Sequence, residues 1–170
     1  AECIAEEVAD PPFDAGDDRF ADGVLVRIEA ISCNYRDFGV VTTVLAGESP
    51  NPFVLFGSEF CGTVEAVGKR VTDFQVGDRV VGDNSYPHAR TAPDIPGVPA
   101  NHVSCEYLVL PHSKLHKVPD SMSVEIAAGV SLNGQTAYSV IRKLAPTPEG
   151  PVLITGGRAN VSLIALTALV

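Results

Sequence analysis

The chain has 170 residues, enough for one packed domain with a small addition. Hydrophobic residues make up 45% and charged ones 19%, and no apolar run approaches the ~20 residues of a membrane span, so a soluble globular chain without a membrane partner is expected. The formal net charge of -9 is uneven: residues 1–22 carry eight acids against Arg19 alone, while the remainder carries thirteen acids against eleven bases, which argues against a nucleic-acid partner.

Residues 1–22 read as an acidic leader, a solvated and loose edge. Its start, "AECIAEEVAD", has neither the basic flank nor the apolar stretch of a secretory signal, so a cytoplasmic location is expected. Cys3, Cys33, Cys61 and Cys105 are 30, 28 and 44 residues apart, without the close pairs of structural zinc sites, and read as reduced, mostly buried thiols.

From Gly23, "GVLVRIEAIS" alternates Val24, Val26, Ile28 and Ala30 with Arg27 and Glu29, the period of a half-buried strand. "CGTVEAVGKRVTDFQVGDRVVG" follows with short β-branched runs divided by Gly62, Gly68, Gly77 and Gly82, read as turn residues that tolerate positive φ. Residues 84–103 hold four prolines and read as a surface excursion. "CEYLVLP" and "KLHKVP" predict two more strands, so the first part of the chain is expected to be a compact, mainly β barrel or sandwich. The period then turns helical. Ser123 can cap a helix through Ala128, and "GQTAYSVIRKLA" spaces Ala137, Val140, Ile141 and Leu144 as a second.

After the break "APTPEG" comes "PVLITGG", an apolar strand ending in two glycines, and "ANVSLIALTALV", a buried helix. Strand, glycine turn and helix in that order form the first unit of a doubly wound α/β domain. Gly156 and Gly157 supply the sharp turn that a dinucleotide pyrophosphate needs, and Ser162 stands at the third fingerprint position. The acid or base that would read the ribose, about 20 residues onward, is not reached within these residues.

The order of segments resembles the medium-chain dehydrogenase/reductase family: a mainly β GroES-like domain in the form of a partly open barrel, then the start of a Rossmann domain. "FGSEFCGTVEAVGKRVTDFQVGDRVVG" is similar to the family's glycine-rich segment, "SCNYRDFGV" to the Asn-(Phe/Tyr)-Arg-Asp motif of quinone-oxidoreductase-like and enoyl-reductase-like members, and "LNGQTAYSVI" to the helix leading to the cofactor. After the acidic leader over 1–22, the resemblance, which spans roughly Gly23 to Val170, implies a GroES-like substrate-side domain over 23–145 and a truncated Rossmann start over 146–170. Where zinc-dependent alcohol dehydrogenases carry their catalytic ligands, this chain has Asn34, Ser58 and Leu132, none of which supplies a thiolate, imidazole or carboxylate. No catalytic zinc is therefore expected. Cys33 lies one residue from a ligand position, and residues 84–103, with His88 and His102 as surface histidines, stand in place of the structural-zinc lobe.

By the same resemblance the function is NADPH-dependent hydride transfer, without zinc, to an enone, quinone or enoyl thioester. Asn34, Tyr35 and Arg36 would line the cleft as catalytic residues, and Asp37 would brace the loop. Thr136, Gly156, Gly157, Asn160 and Val161 would bind the cofactor. Some enoyl reductases place a tyrosine proton donor shortly after the motif, and "VVTTVLAG" holds none. A structural reading stays beside this one, with Arg36 and Asp37 in ion pairs and Asn34 capping a helix. Two other functions stay open: a non-catalytic GroES-like binding or oligomerisation module, for which a homodimer is one form, and a reductase fragment of a multidomain synthase.

Overall fold

The computed structural model describes residues 5–47, 55–83, 103–144 and 150–170. Five antiparallel strands, β1 (Gly23–Ile31), β2 (Phe60–Val67), β3 (Arg79–Gly82), β4 (Tyr107–Pro111) and β5 (Leu115–Lys117), form one sheet in the order β4-β1-β2-β3-β5. Among the described residues, three α-helices accompany it: α1 (Tyr35–Leu45), α2 (Val124–Leu144) and α3 (Asn160–Leu169). This is the strand-rich half-barrel of a GroES-like domain followed by a helix.

Alternation divides the strands between two cores. Val24, Val26, Phe60, Val64, Val80, Leu108 and Leu110 close the inner one, each side chain contributing about 1.5–3 kcal/mol on burial. The neighbouring positions Cys61 and Val81 face the other way and pack with Val118, Ala127 and Ala128 of α2. Small residues on α2 let the helix approach the sheet. Burial there pushes the Cys61 thiol up to about 11, so it is an inert packing group.

Several expectations change. Among the four glycines assigned to turns, only Gly77 has positive φ, at 90°. Gly62 sits inside β2, beside a register shift in β1, where a Cβ would lie 2.5 Å from the Arg27 carbonyl oxygen. Close backbone approach is what requires that glycine. The two helices predicted around Ser123 and Gly134 are one 21-residue helix, with the Ile126 amide donating to Ser123 Oγ at its start. Val103, placed in the surface excursion, is fully buried in the inner core. The rest of that excursion, with His88 and His102, lies outside the described residues, as does Cys3. Cys33 is exposed, contrary to the expectation of mostly buried thiols, and Cys105 is half-buried.

The leader is not loose over its second half. Phe13 and Phe20 stack with ring centroids 5.4 Å apart, Ala21 is fully buried, and the backbone of Arg70 donates to the Ala21 carbonyl at 2.8 Å. Lys69 pairs with Asp18 and Arg70 with Asp22. Acids that read as a solvated run therefore tie this segment to the turn after β2.

"PVLITGG" forms no strand. A strand exists only with a partner to take its backbone groups, and none of the described residues pairs with residues 151–154. Leu153 is 89% exposed. The glycine turn and the helix after it do form, and α3 packs against α2.

Candidate functional site

The site grows from the start of α1. Asn34 is the N-cap, in extended backbone, and the third helical residue, Asp37, turns its carboxylate back to accept the Asn34 amide at 2.6 Å. That carboxylate is almost fully buried, and its other oxygen accepts the Gly57 amide at 3.1 Å. Asp37 thus ties the helix start to the entry of β2, the bracing role expected of it, with backbone amides as its partners in these two bonds. Gly57 has φ 85°, and a Cβ there would lie 2.7 Å from Val103 Cγ2.

Asn34 and Asp37 form a capping box at this helix start, so the capping expected of Asn34 in the structural reading is present, and the Asn34 side chain has further partners. Its Nδ2 donates to Glu59 Oε1 at 2.7 Å, and its Oδ1 accepts from Asn133 Nδ2 at 3.0 Å.

Glu59 is the centre. It is fully buried, yet its carboxylate is met by four donors: Asn34 Nδ2 and Asn133 Nδ2 (3.1 Å) on Oε1, the Leu132 amide (2.7 Å) and Ser131 Oγ (3.4 Å) on Oε2. A carboxylate has about four lone-pair sites, so its acceptor capacity is filled by neutral groups. Such satisfaction is what makes a buried charge tolerable. The Leu132 amide lies inside α2, where an N–H ordinarily serves the carbonyl four residues earlier. Glu59 competes for it.

Leu132 carries the arrangement further, since the carbonyl on the other side of its Cα accepts from Thr136 Oγ1 at 2.9 Å. One route of hydrogen bonds therefore runs from Asn34 through Glu59 and Leu132 to Thr136. Of the positions compared with zinc ligands, Asn34 and Leu132 both donate to this one carboxylate, and Ser58 precedes it in the chain. Ser58 is fully buried, and its hydroxyl has no hydrogen-bond partner among the described residues. Tyr35 is 89% exposed, with its ring 6.2 Å from that of Phe38, and Arg36 is exposed.

On another side of α2, Gln135 Nε2 donates to Asp83 Oδ1 at 3.1 Å, and the Asp83 amide donates to the Lys114 carbonyl at 2.7 Å. Lys114 is buried, and desolvation pulls its pKa down against the opposing pull of Asp83.

The proposed phosphate turn lies apart from these groups. Gly156 has φ 67°, and the Ala159 amide closes the turn on its carbonyl at 2.9 Å. Gly157, Asn160 and Val161 follow at the N-terminus of α3, with Asn160 exposed and Val161 half-buried. No hydrogen bond among the described residues joins this turn to Glu59; α2 is the element that touches both regions. Glu59, Ser131 and Asn133 were not singled out from the sequence. The available signal was an acid inside the apolar run "FGSEFCG", a residue type that is fully buried only when its oxygens are satisfied.

The alcohol dehydrogenase GroES-like domain family matches residues 21–120. The enoyl reductase component LovC of lovastatin nonaketide synthase from Aspergillus terreus is 30% identical, covering 87% of this chain and 41% of its own length. Among solved structures, a quinone oxidoreductase from Pseudomonas syringae pv. tomato is 32% identical with a TM-score of 0.65, covering 94% of this chain and 43% of its own. A mycobacterial protein complexed with NADPH is 34% identical with a TM-score of 0.63, covering 93% and 43%. The chain thus spans less than half the length of these relatives. No helix among the described residues is long and apolar enough to cross a membrane.

Proposed function

This chain belongs to the medium-chain dehydrogenase/reductase family through its alcohol dehydrogenase GroES-like domain, and from that premise we propose that it is the substrate side of an NADPH-dependent reductase that needs no catalytic metal. The observation that carries this reading is the cluster around Glu59. Two amides, a hydroxyl and a backbone N–H converge on it where a zinc enzyme needs soft or imidazole ligands, and none of these donors is a ligand for zinc at neutral pH.

The nicotinamide cofactor fits the residues present at two places. At the turn, space is open for at least 4 Å around the position of a Cβ on Gly156 and on Gly157, so the backbone there can approach a pyrophosphate. Gly156, Gly157, Asn160 and Val161 would hold that group at the N-terminus of a ten-residue helix, where backbone amides favour negative charge. Thr136 would meet the nicotinamide end. When bound, NADPH supplies a hydride. The chain's own residues orient the partners: Asp37 and Glu59 set the start of α1, and Tyr35 and Arg36, exposed on its first turn, face an incoming acceptor.

The acceptor class we propose is an electron-poor alkene or quinone, with an enoyl thioester first because the A. terreus relative is an enoyl reductase component. The test uses the chain with its complete nucleotide-binding domain, following NADPH absorbance with an enoyl thioester, an enone and a quinone, each with and without a chelator. Oxidation by at least one acceptor, unaffected by chelation, is the expected result. Failure of all three, or loss with chelator and recovery with zinc, overturns it.

A further inference from the structure

The two halves of the proposed cleft are on different elements. Asn34 to Arg36 begin α1, whereas Thr136 lies within α2, about a hundred residues later in the chain. Something must fix their spacing, because a hydride donor and acceptor react only when held within about 3–3.5 Å, and a small misplacement costs rate steeply.

We propose that Glu59 is the positioning residue that sets this spacing, as a buried latch between the N-terminus of α1 and the middle of α2. The two oxygens divide the task. Oε1 holds the Asn34 side-chain amide, at the residue that starts α1, and shares the Asn133 amide with Asn34 Oδ1. Oε2 holds the Leu132 amide, whose carbonyl in turn takes the Thr136 hydroxyl. Asn133 Nδ2 also reaches the Gly129 carbonyl at 3.4 Å, so the same side chain braces the turn of α2 on which the latch acts.

Packing alone does not account for this. Glu59 is fully buried just before β2, yet the four donors on its carboxylate come from α2 and from the N-cap of α1, none from the sheet. The carbonyl of the same residue does a separate job, accepting the Ser32 amide at 3.3 Å on the approach to α1. A residue that only filled volume would be apolar here.

Donor and acceptor polarity makes the latch testable. Glu59→Gln keeps shape and size but gives one side of the group an NH2, which must face donors on whichever side it lies. In the double variant Glu59→Gln/Asn133→Asp the polarity is exchanged. The amide introduced at position 59 can donate to the carboxylate introduced at position 133. The Asn34 amide, rotated end for end, can donate to that carboxylate and accept from the new amide. The charge count of the cluster is unchanged by that pair of substitutions.

The experiment uses the protein with its complete nucleotide-binding domain, and its catalytic arm rests on the proposed reductase activity. Single-turnover hydride transfer at saturating NADPH is expected to fall roughly tenfold or more in Glu59→Gln, with NADPH affinity held to within about threefold, the change that loss of one charged hydrogen bond produces. The double variant is expected to recover most of that rate. Amide exchange across residues 129–136 is read on the same proteins: faster in the single variant, restored in the double, and unchanged in β1. A wild-type rate in Glu59→Gln, or a double variant as slow as the single, overturns the latch. Should the unaltered protein transfer no hydride, the reductase reading fails by itself. The latch is then decided by exchange alone: loss and recovery of protection uphold it, and unchanged protection in Glu59→Gln overturns it.

Discussion

Glu59 and Gly156 lie on the two segments most suggestive of chemistry, "FGSEFCG" and "LITGGRANVS", and they differ in every physical respect. The Glu59 carboxylate is buried and its oxygens are met by four donors. Around Gly156, the backbone is exposed, residues 151–154 have no ladder partner among the described residues, and Leu153, Leu163 and Leu166 are exposed. The first region is preorganised by its own contacts, while the second offers open backbone that a ligand or further protein can meet. Preorganisation is the more useful property for positioning reacting groups. Openness is the more useful one for admitting a phosphate.

That difference can be broken by substitution. Glu59→Leu leaves the Asn34, Asn133 and Leu132 donors without their acceptor in a buried place, and should cost about 4 kcal/mol of stability in urea unfolding. A loss below about 1 kcal/mol would mean that water already satisfies these donors. Gly57→Ala comes next, at about 2–3 kcal/mol, because it combines a φ of 85° with a Cβ only 2.7 Å from Val103 Cγ2. Gly156→Ala shares the positive φ, at 67°, but meets nothing within 4 Å, so about 1 kcal/mol is expected from backbone strain alone. Equal costs at the two glycines would show that the turn is as closely surrounded as the latch. In the complete protein, Gly156→Ala should also weaken NADPH binding, whereas Gly57→Ala should not do so directly.

β1, β3 and β4 were legible because alternate side chains are buried along them, and in β1 the period survives in the letters: Val24 and Val26 against Arg27 and Glu29. The α1 motif was legible as a family pattern, but the use of its residues was not. Asp37 and Asn34 cap the helix start together, and the Asn34 side-chain amide also reaches Glu59, a partner 25 positions away in the chain that the motif does not record. Glu59 itself was passed over because pattern reading treats an acid as surface. Only the three-dimensional convergence of Ser131, Leu132 and Asn133 shows why it can be buried. The missing strand at "PVLITGG" teaches the opposite lesson, since an apolar run records a preference that is realised only when a neighbouring strand supplies hydrogen bonds.

The smallest effect expected is electrostatic, and it contrasts surface carboxylates with the latch. The His112 ring, with Nδ1 2.9 Å from Asp73 Oδ1, holds the Asp73 carboxyl below its usual value, and the Arg70 guanidinium does the same for Asp22. A carboxyl whose folded pKa is depressed contributes stability above its unfolded value, near ~3.9, and loses it as pH falls through the lower folded value. The decline should therefore fall below about pH 4, not near neutrality. Asp73 is half-exposed, at 52%, so solvent screens the interaction and its share is slight. Asp73→Asn should lower the urea midpoint slightly at about pH 7 and, by the same small amount, make its fall between about pH 5 and pH 3 less steep, so that the two proteins converge in acid. An unchanged acid slope would show that solvent screening leaves the Asp73–His112 pair no measurable share of acid stability, in contrast to the buried bonds of Glu59, which Glu59→Leu tests directly.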